Sequence, residues 1–204
     1  RRTEGEGVVL QRERVDRQSS LEGSGEGKRH RRHSRNLSHR LEQAFARTGT
    51  PAQLEYKYDG FRVQIHKQGD TVTIFTRRLE NVTNAFRDIV DLMRKQLNHD
   101  CILDGEAVGI DPHTRKYVAF QQISQRIRRK YNIEELSRTL PVETILFDIL
   151  YLDGKDLLQL PHKDRFSQLK EIVREIPGVY TLPTYTVATT VDEAKKFFIE
   201  AKKA

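Results

Sequence analysis

Lys57 stands two residues before an Asp59-Gly60 step, with Glu55 two residues ahead of it and Arg62 shortly after. A lysine becomes a nucleophile only when its amine has lost a proton, and burial or neighbouring positive charge favours that form. Lys57 falls in an apolar, strand-prone run (Leu54, Tyr56, Tyr58, Phe61) that ordinarily excludes a long cationic side chain. Arg62 and, further on, Arg77 present planar fork-shaped donors suited to ribose and phosphate oxygens. The same pattern also reads as a plain strand with Glu55, Lys57 and Asp59 on its outer face, ending at an Asp-Gly turn. Short motifs match by chance, so Lys57, Asp59 and Gly60 decide little by themselves.

Two further stretches come in order after the run LEYKYDGFRVQIHKQGDTVTIFTRRLENVT, from Leu54 to Thr83. They are Ile102-Leu103-Asp104-Gly105-Glu106-Ala107-Val108 and Leu146-Phe147-Asp148-Ile149-Leu150-Tyr151. Together the three resemble the adenylation domain of ATP-dependent DNA ligases, most closely the archaeal type, over residues 41–204. The resemblance implies that Lys57 attacks the α-phosphate of ATP and carries AMP as a phosphoramidate. It implies ATP and Mg²⁺ as cofactors and nicked double-stranded DNA as partner. It also implies that Glu55 lies at the adenine edge, Arg62 and Arg77 on ribose and phosphate oxygens, and Phe147 stacked on adenine. Glu106 would bind a ribose hydroxyl or help hold the metal. Read without the resemblance, Phe147 is a core phenylalanine and Glu106 an exposed end of a strand pair. Gly60 is expected to let the backbone pass close to the nucleotide. Asp59 shapes the turn, and Arg78 faces away by strand alternation.

These residues need elements to hold them. Leu41, Phe45 and Ala46 suggest a short helix stopped by Gly49 and Pro51. Phe61, Val63 and Ile65 alternate with polar residues, and Gly69-Asp70 turns that strand into a partner through Val72, Ile74 and Phe75. Phe86, Ile89, Val90, Met93 and Leu97 mark an amphipathic helix. Strands are expected over Cys101 to Ile110, Thr144 to Leu152 and Val179 to Val187. Helices are expected over 120–138 and from Asp164 to Ile176. Thr190 and Glu193 make a capping box for a last helix through Lys203. Strands and helices interspersed without regular βαβ spacing predict an α+β domain of largely antiparallel sheets flanked by helices. The ATP-grasp-like nucleotidyltransferase fold implied by the resemblance agrees.

At 204 residues the chain can bury a core, and no apolar run approaches a membrane span. Cys101 is the single cysteine, which excludes an intrachain disulfide and fits a reducing, intracellular (cytoplasmic) setting. Beside Ile102 and Leu103 it reads as a buried structural thiol. The net charge of +7 is concentrated in residues 1–40, which hold eleven Lys/Arg against six Asp/Glu and no aromatic residue. Such a segment buries too little to offset its ordering entropy, so residues 1–40 read as a basic, disordered leader before a domain over 41–204. Within it the run from Lys28 to Arg35 could hold phosphates, whereas His30 and His33 lack companions for a metal site. Arg126, Arg128, Arg129 and Lys130 form a second basic cluster that could meet a DNA backbone.

Glu6-Gly7-Val8-Val9-Leu10-Gln11 is similar to a late ligase motif, Glu-Gly-x-Val-x-Lys, but lies at the wrong end and has Gln11 for the lysine. Chance similarity is the preferred reading and a permuted chain the other. The chain reaches Ala204 before the family's later motifs and OB-fold domain, so it is expected to be a C-terminally incomplete, monomeric piece, weak or inactive alone. Two other classes remain open from the residues. One is an RNA ligase or capping-type nucleotidyltransferase; the other is a non-catalytic nucleic-acid-binding remnant.

Overall fold

A computed structural model of the chain describes residues 7–11, 19–20, 30–128 and 137–203, with side chains from Leu37 onward except at 125, 127 and 128. Two compact units divide it: Arg1–Tyr58 with Thr184–Ala204, and Asp59–Pro183.

The first unit is built on a four-stranded sheet in the order β10-β3-β1-β2. Its strands are β1 (Gly7–Gln11), β2 (Ser19–Ser20), β3 (Ala52–Lys57) and β10 (Tyr185–Ala188), paired antiparallel. Helices α1 (His30–Thr48) and α5 (Val191–Ala201) belong to the same unit. Leu37, Leu41, Ala44 and Phe45 recur at helical spacing along α1 and pack with Leu54, Phe197 and Phe198. The Thr190 side chain accepts from the Glu193 backbone and Glu193 reaches back, so the expected capping box starts α5.

The second unit holds a sheet in the order β5-β4-β6-β7-β8, with β9 added parallel to β7. These strands are β4 (Phe61–Gln68), β5 (Thr71–Thr76), β6 (Cys101–Gly109), β7 (Val142–Leu152), β8 (Lys155–Asp156) and β9 (Tyr180–Thr181). Helices α2 (Arg87–Gln96), α3 (Phe120–Arg128) and α4 (His162–Ile172) accompany it. Val63, Ile65, Ile74, Phe86, Ile89, Met93, Leu103, Leu146, Ile149, Phe166 and Leu169 form one buried cluster. Alternation along β4 and β5 sends Val63 and Ile65, and Val72 and Ile74, into this core, while Lys67 and Thr76 end the same two rows as buried polar residues. Cys101 is buried within it, and burial pushes its thiol up to about 12.

Three expectations are corrected. The boundary between a disordered leader and a domain at residue 40 falls inside α1, which begins at His30, and Gly7–Gln11 is a strand. Leu37 extends the apolar stripe of α1 one turn earlier, and packing outweighs the poor composition of that segment. Apart from Ser19–Ser20, the rest of the leader lies outside the described residues, as do Arg129, Lys130 and the side chains of Lys28 to Arg35 and of Arg128. Next, the single strand expected over Val179 to Val187 is two, β9 and β10, on different sheets. Pro183 lies between them and has no N–H to continue a ladder. Finally, Arg126 is no surface cation. It is 1% exposed, donates to both oxygens of Asp88 at 2.7 and 3.0 Å, and lies 5.1 Å from the Phe86 ring centroid.

Candidate active site

Lys57 closes β3, where strand alternation gives it a face to share with Gln53 and Glu55. Ala52, Leu54 and Tyr56 point the other way, into the core beneath α1 and α5. Leu54 and Tyr56, two of the apolar neighbours that make a lysine look out of place, thus belong to the opposite face. Glu55 is 3% exposed, and its Oε1 accepts the Gln53 amide at 2.7 Å. Just past Lys57, the Tyr58 hydroxyl accepts the Thr184 backbone N–H at 3.1 Å, tying the end of β3 to the approach to β10.

In the other unit the chain enters β4 through Gly60. A Cβ there would sit 2.6 Å from the Ala107 carbonyl oxygen and 2.8 Å from Glu106 Cγ. The close passage of the β6 backbone is therefore enough to require Gly60, an intramolecular reason independent of any nucleotide. Arg62 and Glu106 are directly opposed across β4 and β6. Glu106 is half-buried in mid-strand, not at an exposed strand end.

Arg62 donates from Nη2 to Asp104 Oδ2 at 2.5 Å and from Nε to Oδ1 at 3.3 Å. Partial burial lowers its pKa, but the Asp104 bond and the charges of Asp104, Glu106 and Asp148 outweigh that and raise it. The guanidinium carbon lies 5.5 Å from the centroid of the Phe147 ring. Arg62, Glu106 and Phe147 are thus gathered on three adjacent strands.

Phe147 owes its placement to an irregularity. Gly105 pairs with Leu146 and Asp104 with Asp148, so Phe147 is an extra residue in a β-bulge. Bulges re-aim a side chain and leave the neighbouring groups to find other partners. Leu146 and Ile149, on either side, are fully buried, while Phe147 is only half-buried. Asp148 receives two N–H bonds from Arg165 of α4, Nε and Nη2 both at 2.8 Å. His162, at the start of α4 and 4% exposed, lies with Nε2 3.3 Å from the Phe147 carbonyl oxygen. Burial lowers the pKa of His162, opposed by Asp148 and by the carbonyl bond.

Arg77 follows Thr76, which pairs with Val63 of β4. It is exposed in the turn after β5, where Thr76 Oγ1 accepts the backbone N–H of Arg78 and Glu80 and the Thr76 carbonyl accepts that of Leu79. Arg77 and Arg78 are therefore both turn residues, and strand alternation does not sort them. Among the described residues, Arg77 makes no hydrogen bond or ion pair.

Asp104, Asp148, His162 and Arg165 join the site although the sequence assigns them no role in it. Asp104 lies two residues before Glu106 and Asp148 beside Phe147, so strand register alone could have found both. Nothing in the spacing ties Arg165 or His162 to Phe147. Among the described residues no three His, Cys, Asp or Glu side chains cluster as a metal site. Glu106 offers a hard oxygen donor of the kind that shares Mg²⁺ with nucleotide phosphates and water, so the residues fit a nucleotide-borne ion.

A family model described as an ATP dependent DNA ligase domain matches residues 35–204. A DNA ligase of Nanoarchaeum equitans is 47% identical over 136 residues, 66% of this chain and 24% of the relative. A DNA ligase of Thermococcus onnurineus is 41% identical over 162 residues, 79% of this chain and 28% of the relative. The chain therefore spans about a quarter of the length of the curated relatives it matches. Among solved structures, a mycobacterial DNA ligase D complexed with ATP and MES superposes with a TM-score of 0.54 at 25% identity, over 71% of this chain and 43% of that one.

Proposed function

Since the chain belongs to the ATP-dependent DNA ligase domain family, we propose that it performs the adenylation step of ligation, with Lys57 as the nucleophile. The free amine of Lys57 attacks the α-phosphorus of ATP in line. A nitrogen–phosphorus bond forms, the bond to the bridging oxygen breaks, pyrophosphate leaves, and the amine proton passes to solvent. The product is lysyl-AMP, and the AMP is destined for the 5′-phosphate of a nick in double-stranded DNA.

The observation that carries this reading is the convergence of Arg62, Glu106 and Phe147 on β4, β6 and β7, in a chain whose β3 ends at Lys57. Phe147 offers a ring face for adenine stacking. Glu55, on the strand face of Lys57, reads the adenine edge. Arg62, braced by Asp104, presents its guanidinium beside the ring for ribose oxygens, and Arg77, in its exposed turn, is the donor for phosphate oxygens. Glu106 receives a ribose hydroxyl or a water of Mg²⁺; the ion, when bound, neutralises charge on the phosphate oxygens.

Relatives named DNA ligases and a neighbour solved with ATP support ATP as the nucleotide. No described helix is long and apolar enough to cross a membrane. We take the working form to be an intracellular monomer acting on nicked DNA. The nucleic-acid-binding alternative loses its central arginine, because Arg126 is buried against Asp88.

The chain is incubated with Mg²⁺ and ATP labelled on the α-phosphate, beside Lys57→Ala, with and without excess GTP. Slow labelling of the native chain only, untouched by GTP, is expected. Label on Lys57→Ala, or labelling competed by GTP, contradicts the proposal.

A further inference from the structure

Helix α4 is fastened to Phe147 and Asp148 of the bulge by three hydrogen bonds from two of its residues, Arg165 and His162. Arg165 grips Asp148 through two parallel N–H bonds of 2.8 Å, and both side chains are largely withdrawn from solvent, at 12% and 14% exposed. Its remaining nitrogen, Nη1, donates to the Leu160 carbonyl at 2.6 Å, which fixes the chain just ahead of α4. His162 reaches the Phe147 carbonyl, and its ring stacks on Phe166 at 5.7 Å between centroids. Phe166 and Leu169 anchor the helix in the core.

A bulged residue lacks the ladder bonds that orient its neighbours, so its direction must be set from elsewhere. Here the carbonyl of Phe147 and the side chain of the next residue are both held by α4. On the other side, Arg62 stands over the ring and is braced by Asp104. An Arg-carboxylate fork fixes direction as well as distance, which a lysine at the same place does not.

We propose that Asp148 and Arg165, with His162, are positioning residues for nucleotide-base binding: they lock the bulge so that the Phe147 ring presents a fixed face to the base. This rests on the proposed stacking of Phe147 on adenine. It assigns base affinity partly to a helix that need not touch the nucleotide. Loosening the fork lets the ring sample other directions and weakens base stacking, while contacts to the triphosphate are left as they were.

The chain contains no tryptophan, so Phe147→Trp introduces a single fluorophore at the proposed stacking position. Its emission is titrated with a non-reacting ATP analogue carrying a methylene between the α- and β-phosphates. The same titration is run with Arg165→Lys and with Asp148→Asn added, and thermal unfolding checks that each variant is folded. Competition by tripolyphosphate, which has no base, is measured in parallel.

Quenching by the analogue is expected, with half-saturation raised about tenfold in the Arg165→Lys background, the size of coupling usual for residues in one network. Inhibition by tripolyphosphate should be unchanged, an outcome that general loosening of the fold does not give. Quenching with the same half-saturation in both added variants overturns the inference and leaves Phe147 stacking intact. Equal weakening of analogue and tripolyphosphate also overturns it. No quenching in Phe147→Trp itself removes the stacking reading and the inference together. Should Arg165→Lys fail to fold, the Asp148→Asn titration decides by the same criteria.

Discussion

Asp104 and Asp148 face each other directly across β6 and β7, and each carboxylate is held by a different arginine. Like charges at opposed strand positions repel, so this pairing is tolerable only because Arg62 and Arg165 each neutralise one member. The two ion pairs flank the bulge that carries Phe147. Charge balance within the sheet and presentation of the ring are thus parts of one arrangement.

Removing one acid should unbalance it. Asp104→Ala leaves the Arg62 guanidinium partly buried without its main acceptor. A loss of about 1–3 kcal/mol is expected, the cost of stranding a polar group with some solvent access. Denaturant unfolding measures it. A variant as stable as the parent would show that the pair does not hold β4 to β6.

Gly60→Ala should be costly for a purely steric reason. The added methyl meets the Ala107 carbonyl and the stem of Glu106 well inside contact distance, and backbone cannot yield as a flexible side chain can. About 1–3 kcal/mol of destabilisation is expected. Because Glu106 is one of the groups displaced, the labelling rate should fall further than stability alone explains. Normal labelling by a folded Gly60→Ala protein would argue against Glu106 having a part in the site.

Arg126→Ala should behave as a core lesion. The side chain is enclosed, lies over Phe86 and is the bidentate partner of Asp88. Removing one member of such a pair costs roughly 3–5 kcal/mol. The readout is the unfolding midpoint. An unchanged midpoint with lower affinity for DNA would restore the surface role that its basic neighbours suggest.

Two buried groups make stability depend on pH at opposite ends. The Cys101 thiol is raised to about 12 by burial, so its contribution is complete below the ordinary thiol range. That contribution is lost as pH climbs towards 12, because the unfolded thiol ionises first. His162 is lowered by burial, so its contribution is complete above the usual imidazole value of about 6.5. It is lost as pH falls below that, since the unfolded ring protonates first. Cys101→Ala should flatten the alkaline loss and His162→Gln the acid one. Unaltered pH profiles in these variants would remove both groups from the account.

The strands and helices were largely legible because their apolar residues recur at the period of the element. The hairpin from Phe61 through Phe75 and the capping box at Thr190 are local features, and local chemistry sets them. What the sequence did not disclose is long-range. The face of β3 that bears Lys57 depends on α1 and α5, which cover the other. The bulge at Phe147 depends on pairing between strands far apart in the chain. The fork from Arg165 and the burial of Arg126 are decided by helix packing. Arg77 looked like a strand donor because the turn that begins there is closed by Thr76, a residue with no strong turn signature.

The central claim is that the Lys57 amine accepts AMP. Tandem mass spectrometry of the chain after incubation with ATP and Mg²⁺, digested under conditions that spare an acid-labile phosphoramidate, tests it most directly. One AMP per chain is expected, on the peptide containing Lys57 and on that side chain. AMP found on another residue, or a Lys57 peptide that stays unmodified while the chain is labelled, would contradict it.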